Sequence, residues 1–332
     1  MAGMTTRERI NEFFNSRGFM LLCAVALVVT TAVACMMGVK SAPTSGKGIF
    51  FSLDGDLLGS GQLSAAVNLL CLLVTGGIML ALNKVFNYVR SMTYLFMSAF
   101  FLLQIAHPAS LVSFNAGTLL ALVTSIATLP LFAAYQDKHS QRSIFLIFAI
   151  VAAGTMFNYS FLVLIPAFLL GFLNMGVLNV KGMLAMLFGL VTPFWIVLGL
   201  GIASPFDFMA PQFHGIWHQP GNTAATLLLV LTALTVLMGL ILAIMNLFTI
   251  MNYRKQTRVY NAFFVFVLFS LIVAICIDYS NVAVYLPLLN LMVAVQIAHA
   301  HTLRSTHGYR YIFILLLIVG CLAFAAVNLL MP

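Results

Sequence analysis

Apolar runs of roughly bilayer length recur along the whole chain, with almost no charge inside them. A helix needs about twenty apolar residues to cross a ~30 Å hydrocarbon core, and lipid demands that each segment satisfy its own backbone. On that template up to eleven segments stand out, near residues 18 to 38, 61 to 82, 92 to 106, 111 to 134, 143 to 157, 159 to 178, 183 to 203, 223 to 250, 260 to 277, 282 to 300 and 310 to 330. Only 15 Lys or Arg and 7 Asp or Glu occur in 332 residues, 7% in all. A soluble domain carries about 25% charge, so a water-soluble fold of this size is excluded. The expected fold is an all-α polytopic helical membrane bundle, a single integral membrane domain over 1–332.

The net charge of +8 would point to a nucleic-acid partner in a soluble protein, but here the cations are scattered singly and in small groups between apolar runs. That is how positive residues set membrane orientation. With the N-terminus inside, the inner segments hold Arg7, Arg9, Arg17, Lys84, Arg90, Lys138, Arg142, Lys181, Arg254, Lys255, Arg258, Arg304 and Arg310, and only Lys40 and Lys47 fall outside. The expected topology is N-in and C-out, with residues 1–17 cytoplasmic, a first outer loop at 39–60 and a long outer loop at 204–222. Segments 92 to 106 and 143 to 157 are short and end in polar breaks, His107-Pro108-Ala109-Ser110 and Asn158-Tyr159-Ser160. They are either short helices beneath a recessed outer surface or limbs of re-entrant hairpins, which leaves a count between seven and eleven.

The first apolar run, Gly18 to Gly38, is longer than the 7 to 15 residues of a signal-peptide core, so it is expected to stay as a span. Cys23, Cys35, Cys71, Cys276 and Cys321 lie in or at the ends of apolar segments without CxxC spacing and are expected to pack. Asn68, Asn115, Asn246, Asn290 and Gln296 are expected to join helices. No Asp, Glu, Lys or Arg stands at the middle of a span, which counts against a pump or ion-coupled transporter.

Chemistry-bearing residues gather in the outer loops. Asp54 and Asp56 flank Gly55 just before the second span. Two carboxylates at headgroup level suit a divalent cation or removal of a proton from an attacking hydroxyl, although a polar turn would use the same residues. The long loop holds Asp207, His214 and His218, the two His four apart and on one face if the segment is helical. They are candidates for metal, phosphate or acid/base contacts, set against a simple interfacial loop anchored by Trp217 and its Phe neighbours. Lys40, Lys47 and His107 complete the candidate substrate-binding set. Asp278 and Asn281 read as a helix-end turn, and His299, His301, Arg304, His307 and Arg310 as a solvated inner loop.

With Asp54-Gly55-Asp56 in the first outer loop after an N-in helix, many further spans and a longer outer loop later, the layout resembles the GT-C superfold of polyprenol-linked glycosyltransferases. The chain also looks like an uncharacterised bacterial family of multispanning proteins with that layout. The resemblance implies that Asp54 or Asp56 acts as general base or cation ligand in sugar transfer from a lipid-phosphate donor at the outer leaflet, with membrane lipids and polyprenol phosphate as partners and no nucleic acid. The loop is shorter than that superfold usually carries, and Gly55 separates the acids where an adjacent pair is common. The alternative is a non-catalytic scaffold or lipid-binding subunit of an envelope complex; a transporter or flippase fits less well.

Overall fold

A computed structural model describes residues 6–41, 47–52, 61–89, 93–215, 223–303 and 310–330. In chain order the helices are α1 (Thr6–Phe14), α2 (Arg17–Met36), α3 (Gly61–Phe86), α4 (Leu95–Ile105), α5 (Ala116–Ala133), α6 (Gln141–Phe157), α7 (Leu164–Asn174), α8 (Val180–Gly199), α9 (Thr223–Ile250), α10 (Lys255–Ile277), α11 (Val282–Leu303) and α12 (Arg310–Leu330). Short 3-10 turns lie at Pro108–Ser110, Tyr159–Val163, Pro205–Asp207 and Tyr279–Asn281. Among the described residues, β pairing is limited to an isolated bridge between Lys47 and Ser52. The protein is an all-α polytopic bundle. Among the described residues eight helices are long and apolar enough to span a membrane, while α4, α6 and the Tyr159–Asn174 segment are shorter. Each of the eleven apolar runs is thus a helix.

The bundle is built around α11, which is buried on all sides and packed by α4, α5, α9 and α10; α2 lies on α4, α3 on α5, α7 on α10 and α8 on α6. Small residues allow the closest approaches, as lipid-embedded helices require. A Cβ at Gly117 would stand 2.9 Å from the Val284 carbonyl carbon of α11, and one at Gly189 would stand 2.6 Å from the Phe145 carbonyl oxygen of α6. Of the polar side chains expected to join helices, Asn68, Asn246, Asn290 and Gln296 do so, whereas Asn115 is the N-cap of α5, its Oδ1 accepting from the Gly117 and Thr118 N–H groups at 2.9 and 3.1 Å. Asn246 donates to the Gln296 side chain at 2.9 Å, Gln296 donates to Asn261 at 3.2 Å, and Asn290 donates to the Leu103 carbonyl at 3.3 Å. Aromatic rings fill the space between, Phe132 stacking on Tyr260 with centroids 4.0 Å apart.

Hydrogen bonds between loops fall into two sets, one at each end of the bundle. At one end Tyr159 N–H donates to the Lys47 carbonyl, Met209 N–H to Ile49 and Ser280 N–H to His214. At the other, Asn15 Nδ2 lies 3.0 Å from His301 Nε2, Arg17 donates to Tyr94 at 2.7 Å and Asn179 to the Lys138 carbonyl at 3.2 Å. These are the two sides that the cation count separates into outer and inner.

The two short segments behave differently. Helix α6 has 17 residues, about 25 Å of rise, and its ends meet loops of opposite sides, so it covers the whole distance. Helix α4 has 11 residues, about 16 Å. Pro108 accounts for its end, because the residue before a proline is pushed out of helical conformation, and His107 sits at φ −127, ψ 77. The following break is drawn inward: the Ser110 and Leu111 carbonyls accept from Asn68 of α3 at 2.9 and 3.2 Å. Asn68 lies seven positions into α3, about 10 Å along it, so the outer surface is recessed there.

Two expectations are corrected. Helix α1 is additional; its Ile10, Phe13 and Phe14 share a face, and Phe14 is buried. His299 and His301 do not belong to a solvated loop: they lie in the last turns of α11 and are buried, because α11 continues beyond residue 300, where His301 meets Asn15 and Thr302 donates to the Val89 carbonyl. Arg304 and His307 lie outside the described residues.

Candidate functional site at the outer end

Four outer segments meet at one place. The first outer loop runs into it through Gly48, whose Cα faces the end of α6 so closely that a Cβ would stand 2.5 Å from the Met156 carbonyl carbon. Glycine is required there by proximity, not by φ. The loop is then held by the backbone, with Ile49 N–H donating to Thr155 at 3.2 Å, and Phe50 and Phe51 N–H to Met156 at 3.3 and 3.0 Å. Phe51 stacks on Phe157 with centroids 5.1 Å apart. On the other side, Met209 of the long loop donates to Ile49 and accepts from the Tyr159 hydroxyl.

Beneath this junction is a buried carboxylate. Asp278, 3% exposed, accepts from Ser280 Oγ at 2.7 Å, Asn281 Nδ2 at 2.8 Å and the Tyr285 hydroxyl at 3.4 Å. Tyr285 also lies beside Ser160 in the break after α6, though Ser160 Oγ has no hydrogen-bond partner. Asn158 forms that break: its backbone is extended and its Oδ1 accepts from Ser160 N–H at 2.9 Å. Its Nδ2 is buried with no hydrogen-bond partner. A buried unsatisfied donor costs about 1–3 kcal/mol, which a ligand oxygen placed against it would offset.

The residues singled out from sequence are distributed unevenly about this place. Lys47 is exposed beside it, and its carbonyl accepts from Tyr159. His214 is exposed, with its backbone carbonyl bonded to Ser280 in the Asp278 turn. The chain from 208 to 215 is not helical, so the condition that would put His214 and His218 on one face is not met up to that point. Asp207 is exposed and committed locally: with Ser204 it forms a capping box, accepting the Ser204 N–H at 2.8 Å. Lys40 is exposed just beyond α2. His107 is buried in the recess, with Nδ1 lacking a hydrogen-bond partner, and no described hydrogen bond links it to the other four. Asp54, Asp56 and His218 lie outside the described residues. Among the described residues no group of three or more His, Cys, Asp or Glu could hold a metal ion.

Asn158, Asp278 and Tyr285 were not among the residues expected at a site: Asn158 reads as part of a polar break and Asp278 as a helix-end turn. A signal was available for Asp278, since only residues 278 to 281 separate two long spans. A carboxylate in so short a turn has no loop to carry it into water. The polar break sets Asn158 apart from the Asn residues inside spans, but nothing in the sequence marks its amide as one left unpaired.

Residues 59–331 match the model of a family of unknown function, DUF6427, and the chain belongs to that family. Asn158, Asp278 and Tyr285 fall within the match, whereas Asp54 and Asp56 precede it. No curated protein and no solved structure matches the chain.

Proposed function

We propose that this multispanning protein resides in the bacterial cytoplasmic membrane and transfers sugar from a lipid-phosphate donor at its outer end, in the manner of GT-C glycosyltransferases. The observation that carries the reading is the docking of the first outer loop at Gly48 to Phe51 against α6 and the long loop. It brings residues 47–52, the stretch that precedes Asp54 and Asp56 in the sequence, to a junction that already contains a buried carboxylate and an unpartnered amide donor. In this reading Asp54 or Asp56 takes the proton from the attacking hydroxyl, and Asn158 Nδ2 offers a hydrogen bond to a substrate oxygen. Bare carboxylates repel a lipid phosphate, so the site needs positive charge. Lys40, Lys47 and His214 are the protein's own sources on this side, and Asp54 with Asp56 would hold a divalent cation if one takes part. Asp207 and Asp278 are unsuited to that role, because their carboxylates are occupied by Ser204, Ser280, Asn281 and Tyr285.

The test is sugar transfer from a polyprenol-phosphate-sugar donor in reconstituted vesicles. Asp54→Asn or Asp56→Asn should abolish transfer while membrane insertion stays normal, and transfer should fall on chelation or on neutralising Lys40, Lys47 and His214. Full transfer with both acids replaced would overturn the reading. The commitment of Asp207 and Asp278 to local structure favours a second one, a non-catalytic scaffold or lipid-binding subunit of an envelope complex, in which the double variant keeps its cellular function. A flippase is less well supported, since Asn246, Asn261, Asn290 and Gln296 bond to neighbouring helices instead of lining a path.

A further inference from the structure

Helices α9 and α10 are joined by only four residues, 251–254, yet they do not close on each other at that end. Different partners hold them apart. Helix α9 is drawn to α11: a Cβ at Gly239 would stand 2.8 Å from Val293, and Asn246 donates to the Gln296 carbonyl at 2.8 Å. Helix α10 is drawn to α7, where a Cβ at Gly171 would stand 2.8 Å from the Phe263 ring. The result is a wedge-shaped cavity of about 650 Å³, closed on its third side by Asn174 at the end of α7, within the ~300–1,000 Å³ typical of small-ligand sites.

The two walls differ in chemistry. The α9 wall is apolar, with Ile244 and Leu247 three apart on one face of the helix and Met251 just beyond its end. The α10 wall repeats in the same way from Lys255 through Arg258 to Ala262, so two cations stand at the mouth and apolar surface lies deeper. Both cations are exposed, the first turn of α10 contains no acid, and among the described residues no carboxylate pairs with either. This end is the one that the cation count assigns to the cytoplasm. An apolar slot open to the bilayer, with unbalanced positive charge at headgroup level, is complementary to an amphiphile with a negative head. A free phosphate would leave the apolar wall uncovered.

We propose that the wedge between α9 and α10 binds one anionic phospholipid of the inner leaflet, its acyl chain along Ile244, Leu247 and Met251 and its phosphate between Lys255 and Arg258. The site is remote from the outer-end junction and does not depend on the transfer reading. It would give the α9 end, otherwise unsupported by α10, a fixed packing partner.

The experiment uses the full-length protein reconstituted in phosphatidylcholine vesicles with a minor share of phosphatidylglycerol. After extraction into detergent and washing, the ratio of the two lipids retained is measured. Wild type should retain phosphatidylglycerol preferentially, and inorganic phosphate should not displace it. The double variant K255Q/R258Q should lower the preference by about tenfold or more, the size expected from removing two cations beside a lipid phosphate. K255R/R258K, which keeps both charges, should retain it, as should Lys181→Gln, which removes a cation elsewhere on the same side. Ala262→Phe, which narrows the slot and spares the cations, should lower phosphatidylglycerol retention. The proposal is overturned if K255Q/R258Q keeps the preference, if Lys181→Gln loses as much, if Ala262→Phe has no effect, or if inorganic phosphate alone strips the lipid.

Discussion

Replacing Gly48 by Ala should release the first outer loop from the bundle. The added methyl carbon would stand 2.5 Å from the Met156 carbonyl carbon, where carbon atoms prefer ~3.5 Å or more, so the loop has to retreat by about 1 Å. The neighbour is backbone at the end of α6 and has no rotamer by which to yield. Four hydrogen bonds cross this contact, from Ile49, Phe50 and Phe51 to α6 and from Tyr159 to Lys47, at 3.2, 3.3, 3.0 and 3.1 Å, and a retreat of that size breaks them together. At about 1 kcal/mol each, the loss is about 4 kcal/mol, close to a thousandfold in the opening equilibrium. Hydrogen exchange in nanodiscs reads this directly. The amides of Ile49, Phe50 and Phe51 should be protected in wild type and lose about three orders of magnitude of protection in Gly48→Ala, whereas α11 amides keep theirs. Equal protection in the two proteins would refute the docking on which the outer site rests.

Reporter fusions should place residues near 48 and 215 outside and residues near 140 and 256 inside; a cytoplasmic position for 215 would break the assignment of both ends. His107→Cys should react with a bulky charged thiol reagent far more slowly than Lys40→Cys, since His107 is buried and Lys40 exposed, and equal rates would remove the recess at the end of α4. Asn246→Leu should lower stability by about 1 kcal/mol, the usual size of an interhelical hydrogen bond in lipid, measured as thermal unfolding in detergent. No change would show that the bonds between Asn246 and Gln296 do not hold α9 to α11.

How much of this was legible in the sequence depends on whether a feature is set along one helix or between several. Helix existence is local: each of the eleven apolar runs has the composition that lipid imposes and each is a helix, eight of them, among the described residues, long enough to span. The end of α4 was also readable, because Pro108 excludes helical conformation at His107. The first helix was missed because three apolar residues on one face, Ile10, Phe13 and Phe14, are too few to register against a template built for whole spans. His299 and His301 were misplaced because the charge and His content of the stretch that follows α11 hid the continuation of the helix.

The site was less legible, for a physical reason. Asp54, Asp56 and the His residues stand out in a sequence by residue type, but burial decides which polar groups face each other, and burial comes from packing. Asp278 resembled an ordinary turn residue until α10, α11 and the break after α6 were brought together around it. Gly48 looked like loop composition, and its need for glycine arises from the backbone of Met156 and Phe157, more than a hundred residues away in the chain.

If a lipid phosphate is handled at the outer end, beside the docked first loop, an experimental structure of the full-length protein in nanodiscs with a polyprenol phosphate added should show headgroup density against the 47–52 segment, within reach of Asp54 or Asp56 and of Asn158. Binding should weaken in Asn158→Leu. Density for the polyprenol head at the opposite end, or away from the first outer loop, would contradict that reading.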